Sequence, residues 1–104
     1  MEFLNKVELK GIVGSVRFVN IADKQCARFS LATNISHKNE EGLPVIETAW
    51  FYCTAWESDK NDIHVIEKGA NLYITGRFRA KKFVDSGDVE RITYEVYVNS
   101  LKRL

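Results

Sequence analysis

Positions of alternating polarity dominate the chain. Val7, Leu9, Gly11 and Val13 alternate with Glu8, Lys10 and Ile12, the period of two that marks a strand with one buried face, and the glycines let it bend. Cys26 to Ile35 repeats the pattern with Phe29, Leu31 and Thr33 on one face, and residues 20–24 supply turn chemistry for a hairpin between the two. The polar stretch Ser36 to Pro44, with Asn39, Gly42 and the single proline, reads as a surface loop. A third strand, Thr48 to Trp56, is largely apolar on both sides: Trp50, Tyr52, Thr54 and Trp56 form one row, Phe51, Cys53 and Ala55 the other, and one of these rows is core. Between Ser58 and Lys68, Ile63 and Ile66 stand at i and i+3, Ser58 or Asp59 can cap, and Gly69 can stop, which predicts one short helix. Leu72 to Val84 and Arg91 to Val98 complete the strands, joined through the tip Asp85-Ser86-Gly87-Asp88.

Three strands, a helix and two strands is the order of the OB-fold, an all-β, five-stranded Greek-key barrel with its short helix between strands 3 and 4. An SH3-like barrel has similar patterning, and neither fold fixes a function by itself. At 104 residues without a linker or low-complexity segment, the expectation is a single domain over 1–104. No apolar run approaches the roughly 20 residues of a membrane-spanning helix, and Met1-Glu2-Phe3-Leu4 opens no signal peptide, so the expected location is the cytoplasm, away from membranes. Fifteen basic against fourteen acidic residues leave a net charge of +1, so only local clustering can point to a partner.

Cys26 and Cys53 lie outside any zinc-type spacing, and His37 and His64 are isolated, so neither a metal nor a cofactor is expected. Glu40 with Glu41, and Asp85 with Asp88, are carboxylates in polar loops with no histidine or apolar pocket in sequence reach; an enzyme is not expected. The fourth strand is more informative. Leu72, Ile74, Gly76 and Phe78 take one face, Tyr73, Thr75, Arg77 and Arg79 the other, and the run from Arg77 to Phe83 interleaves Arg77, Arg79, Lys81 and Lys82 with two rings. Single-stranded nucleic acid asks for that mixture, cations for the phosphates and rings on which unpaired bases stack. Trp50 and Trp56, six apart on one strand, are about 20 Å from each other at the usual rise and could serve two nucleotides. Two plainer readings compete at this point: an aromatic row that belongs to the core or to a protein interface, and a basic arm whose charges guard an edge strand.

Asn5-Lys6-Val7 followed by Leu9, Gly11, Val13 and Gly14, then Phe29-Ser30-Leu31-Ala32-Thr33, then Thr48 and Trp50, then Lys68-Gly69 with Tyr73-Ile74 and Gly76, together resemble the bacterial single-stranded DNA-binding protein family. The resemblance runs from Asn5 to about Val98 and implies an OB barrel that assembles as a homotetramer, or less often as a dimer. It further implies sequence-independent binding and protection of single-stranded DNA in replication, recombination and repair, in the nucleoid. Its stacking positions fall on Trp50, Trp56 and Phe83, with a further one on His37, and its basic hairpin falls on Arg77, Arg79, Lys81 and Lys82. Arg17, Arg28, Lys10 and Lys38 are weaker phosphate candidates; Phe18 and Tyr52 fit either a groove or an interface. Members usually continue into a tail with an acidic tip that recruits other enzymes. This sequence ends at Lys102-Arg103-Leu104, so recruitment through such a tip is not expected. The short form also resembles, less closely, primosomal replication protein B, and RNA binding or a protein-interaction module are the other readings of the same residues.

Overall fold

Alternation carries the chain into β1 (Val7–Ile21), β2 (Lys24–Lys38), β3 (Pro44–Trp56), β4 (Asn71–Val84) and β5 (Glu90–Arg103) in a computed structural model that describes residues 2–104. The strands close in the order β1-β2-β3-β5-β4. Every neighbouring pair is antiparallel except β3 and β5, which run parallel at Cys53–Val96 and Thr54–Tyr97. The expected five-stranded barrel is therefore present.

Its interior takes one row from each strand, including Val13, Phe29, Leu31, Cys53, Ala55, Leu72, Ile74 and Val96, and is stoppered by Ile63 and Ile66 from the β3–β4 connection. The choice left open on β3 resolves toward its small residues. A narrow cylinder accommodates Cys53 and Ala55 where two tryptophans would overfill it. The buried polar residues Ser30, Thr54 and Asn61 all have hydrogen-bond partners, as burial without one is costly.

Two bulges shape the wall. On β1 the register shifts between Val13 and Ser15, so Val13 stays inside while Ser15 turns out, and a Cβ on Gly14 would lie 2.4 Å from the Trp50 ring. On β5 an extra residue, Asn99, stands between Val98, paired with Gly76, and Ser100, paired with Thr75. The buried Asn61 side chain fills that irregularity, donating to the Asn99 carbonyl at 2.9 Å and accepting from the Leu101 amide at 3.2 Å.

Several expectations require correction. The helix over Ser58–Lys68 is replaced by one 3-10 turn, Ile63–Val65. A residue spacing of three is that turn's own period, so Ile63 and Ile66 both reach the core without further helix. Ser58 spends its hydroxyl on the amides of Lys60 and Asn61, the cap is Asp62, and three β-branched residues in a row of four are poor helix formers. The loop expected over Ser36–Pro44 contracts to residues 39–43, because the β2–β3 ladder continues through His37–Val45 to Lys38–Pro44. Polar residues persist there because the ribbon has left the barrel and both its faces meet water. Phe78 continues the row of Leu72 and Ile74 and stands opposite the buried Val96 of β5, yet its own ring is exposed. The β1–β2 turn is only Ala22-Asp23, with Ala22 at φ 54°.

Candidate nucleic-acid interface

Side chains directly opposite in an antiparallel ladder point to the same side, which allows the outer surface to be assembled strand by strand. The outward row of β3 places Trp50 beside Ala32 of β2, Tyr52 beside Ser30, and Thr54 beside Arg28. Small neighbours leave the rings uncovered: Trp50 is 57% exposed and Tyr52 71%, while Trp56 is half-buried. Across the parallel seam Thr54 adjoins Tyr97 of β5. Tyr97 faces Arg77 of β4, Glu95 faces Arg79, Thr93 faces Lys81, and Arg91 faces Phe83. One continuous surface thus runs from the tryptophan row, over the seam, to the basic hairpin.

Contacts on that surface tie the two halves together. The Arg77 and Arg79 guanidiniums lie 4.9 and 5.3 Å from the Tyr97 ring centroid, a cation–π arrangement on one shared ring. Glu95 accepts from Arg79 Nε at 2.8 Å, from Arg79 Nη2, and from Thr54 Oγ1 at 3.0 Å, and Lys81 Nζ stands 3.7 Å away. Partial burial pushes the Glu95 carboxyl up, but hydrogen bonds from Arg79 and Thr54, with the charges of Arg79 and Lys81, outweigh burial and hold it below the usual carboxylate range. Trp56 borders a groove shared with Lys24, Arg28, Arg79 and Tyr97. On the other flank Arg17 of β1 sits opposite Arg28 of β2, and neither has a carboxylate partner among the described residues. Like charges placed opposite one another cost stability until an anion joins them.

The structure brings Trp50, Trp56, Arg77, Arg79, Lys81 and Phe83 onto this surface, Phe83 standing near the hairpin tip. Lys82 points to the opposite side of the hairpin, paired with Ile92 and 3.6 Å from Glu90. His37 lies by alternation on the other face of the β2–β3 ribbon from Trp50, its Nε2 2.8 Å from Glu47. Lys10 is over Tyr73 and Phe18 is stacked on His64, both away from the tryptophan row. Tyr97 and Glu95 were not among the sequence candidates. Their alternation with Val96 and Val98 marks them as outward, but their place beside Thr54 depends on the parallel seam, which no local pattern announces.

Burial, with a contribution from the nearby Glu95 charge, pushes the Cys53 thiol up to about 12, leaving an unreactive thiol. Among the described residues no group of three or more His, Cys, Asp or Glu is placed to hold a metal, and no helix is long and apolar enough to cross a membrane. What the surface offers is flat rings at intervals and positive charge between them, which suits stacked bases joined by phosphates.

The model of the single-strand binding protein family matches residues 4–104. Two curated relatives, the single-stranded DNA-binding proteins of Neisseria meningitidis serogroup A (strain Z2491) and serogroup B (strain MC58), are each 30% identical over 105 residues, 97% of this chain. The chain spans 60% of the length of those relatives. A Plasmodium falciparum single-stranded DNA-binding protein, solved in complex with single-stranded DNA, superposes with a TM-score of 0.81 at 24% identity, over 100% of this chain and 97% of that one. The small single-stranded DNA-binding protein of Streptomyces coelicolor gives 0.72 at 17%, over 98% and 96%. A deletion mutant of the Thermus aquaticus protein gives 0.79 at 17%, over 97% of this chain and 50% of that one. At these identities the solved structures speak for the shared OB barrel.

Proposed function

We propose, from the premise that this chain belongs to the single-strand binding protein family, that residues 1–104 act as one domain that binds single-stranded DNA without sequence preference and protects it in replication, recombination and repair. The observation that carries the reading is the outward row of Trp50, Tyr52 and Trp56, continuous over Tyr97 with Arg77 and Arg79. Bases stack on the rings at roughly 1–3 kcal/mol each, and every base has a π face, so sequence matters little. Phosphates lie along Arg77, Arg79 and Lys81, with Arg17 and Arg28 on the other flank. Lys82 and His37 contribute less because their faces are turned away. The protein acts by occupying its ligand rather than by turning it over, in the cytoplasm.

Self-assembly, as a homotetramer, belongs to the same proposal. From Val7 to Lys10, β1 is paired with β4 alone, because β2 meets it only from Gly11, which abuts the Ala32 carbonyl, and Ile12 onward; this leaves an open strand edge. Such an edge accepts a second copy of itself about a two-fold axis. Sedimentation equilibrium checks the mass, four chains being the expected result and two chains the dimeric alternative.

The primary test titrates tryptophan fluorescence with oligo-dT, a DNA duplex and an RNA homopolymer, at low and high salt. Strong quenching by oligo-dT, weakened by salt with a log–log slope of about −3 for four neutralised phosphates, is expected. Equal response to RNA would move the reading to single strands in general. No response to any of the three would overturn it and return the aromatic row to a protein interface.

A further inference from the structure

Glu95 is an acid set among cations. It stands on the outer face of β5, between Thr54 of β3 and Arg79 of β4, where the surface otherwise presents rings and positive charge. Two of the proposed phosphate-binding cations, Arg79 and Lys81, have this carboxylate as their salt-bridge partner. Arg17, Arg28 and Arg77 have no carboxylate partner among the described residues. The cations on the surface therefore divide into a free set and a set already occupied.

We infer that in the free protein the Glu95 carboxylate takes on Arg79 the place of a DNA phosphate, so that a strand binds by displacing an internal anion and Glu95 limits its affinity. The inference rests on the single-stranded DNA reading and deepens it. A guanidinium fork meets a carboxylate and a phosphate through the same pair of N–H groups, so one must leave for the other to be held fully. Arg79 also borders the groove beside Trp56, which puts its guanidinium within reach of the backbone of a nucleotide stacked on that ring. Thr54 anchors the other carboxylate oxygen at 3.0 Å, so Glu95 does not follow Arg79 when the arginine swings to a phosphate. Once exchange has occurred the carboxylate remains as an unpaired negative charge beside the strand. Both its repulsion and the lost pair work against the complex, chiefly by hastening dissociation.

The test is Glu95→Gln, which keeps the shape and an acceptor for Thr54 while removing the charge. Oligo-dT affinity should rise about two- to fivefold, the range for an ion pair of this exposure. The gain should fall mainly in a slower dissociation rate, and the salt slope should steepen by up to about 0.7 as the net positive charge facing the strand rises by one. Arg79→Gln should then cost more affinity in the Glu95→Gln protein than in the wild type. Should the variant melt early, the Nε–H resonance of Arg79 in the 15N-labelled wild type gives the same information: it shifts on addition of oligo-dT if the pair is exchanged. Wild-type binding with Glu95→Gln equal or weaker, or an Arg79 resonance that stays fixed through saturation, would overturn the inference and leave the DNA reading standing. Failure of the wild type itself to bind would instead remove the reading beneath it.

Discussion

The β2–β3 and β4–β5 hairpins end in the same five-residue device. Asn39 Oδ1 accepts from the amides of Glu41 and Leu43, both at 2.9 Å, and Asp85 Oδ1 accepts from those of Gly87 and Val89 at 2.9 and 3.0 Å. Each loop closes with a main-chain bond to its fifth residue and carries its fourth in the left-handed region, Gly42 at φ 79° and Asp88 at φ 57°. What differs is the dressing. The first tip is clamped by a neutral amide and followed by Glu40 and Glu41. The second is clamped by a carboxylate tied to Arg91 at 2.5 Å, on a ribbon that carries Arg77, Arg79, Lys81 and Lys82. The backbone of a ribbon thus settles its reach and register, and its charges settle what it can meet.

The sharpest way to break this contrast is to remove the charges. Exchanging Arg77, Arg79, Lys81 and Lys82 together for glutamine should flatten the salt dependence of oligo-dT binding by about 2 in log–log slope, chiefly through the first three, while Lys38→Gln on the other hairpin changes it by less than about 1. Comparable losses from the two hairpins would make them functionally equivalent. Next in size, Trp56→Ala should weaken binding by about 1–3 kcal/mol with melting still cooperative, whereas His37→Ala should move it by less than about 0.5 kcal/mol. Isothermal titration of both variants decides, and a large effect at His37 would bring the first hairpin's other face into the site.

Acid should separate the two tips as well. Hydrogen bonds from Arg91, then from the Val89 and Gly87 amides, hold the Asp85 carboxyl below its usual range. A group lowered on folding contributes order that is present above its unfolded pKa and lost as pH falls through the folded value. Amide exchange at Gly87 and Val89 should therefore quicken in acid relative to Glu41 and Leu43, whose clamp does not titrate; matched profiles would show that the Asp85 charge contributes nothing. The smallest effect expected is from Asp88→Gly, which gives the second tip the left-handed glycine of the first and should stabilise by about 0.5 kcal/mol at most, read from thermal melting.

Much of this architecture was legible in sequence because a barrel wall writes period two into its strands. The succession of strands along the chain and the Asp85–Asp88 tip follow from side-chain alternation and turn chemistry, whereas on β3 alternation defined two rows and left open which of them was core. The reading faltered where the chain leaves the barrel. Ser36 to Lys38 are polar on both faces yet fully paired, and nothing local separates such a ribbon from a loop. It faltered again where one residue breaks the alternation: Asn99 and Ser100 resemble the end of β5 but form its bulge, and the strand continues to Arg103. For the site, Trp50, Trp56 and the Arg77–Arg79 pair were readable as types at a spacing. Glu95 was not, because its meaning comes from Thr54, which is 41 positions away in sequence and adjacent only across the closed seam.

That seam has a mechanical side. The β3–β5 closure consists of the rungs Cys53–Val96 and Thr54–Tyr97, beside an unbroken β2–β3 ladder from Cys26–Trp56 to Lys38–Pro44. Under tension a short run of rungs yields before a long one, so a cylinder stretched across its wall opens along this line, with the Thr54–Glu95 bond as a cross-brace. On the proposed binding path, a nucleic-acid strand over Thr54 and Tyr97 would span the same line as a splint spans a fracture and would make the loaded barrel the stiffer one.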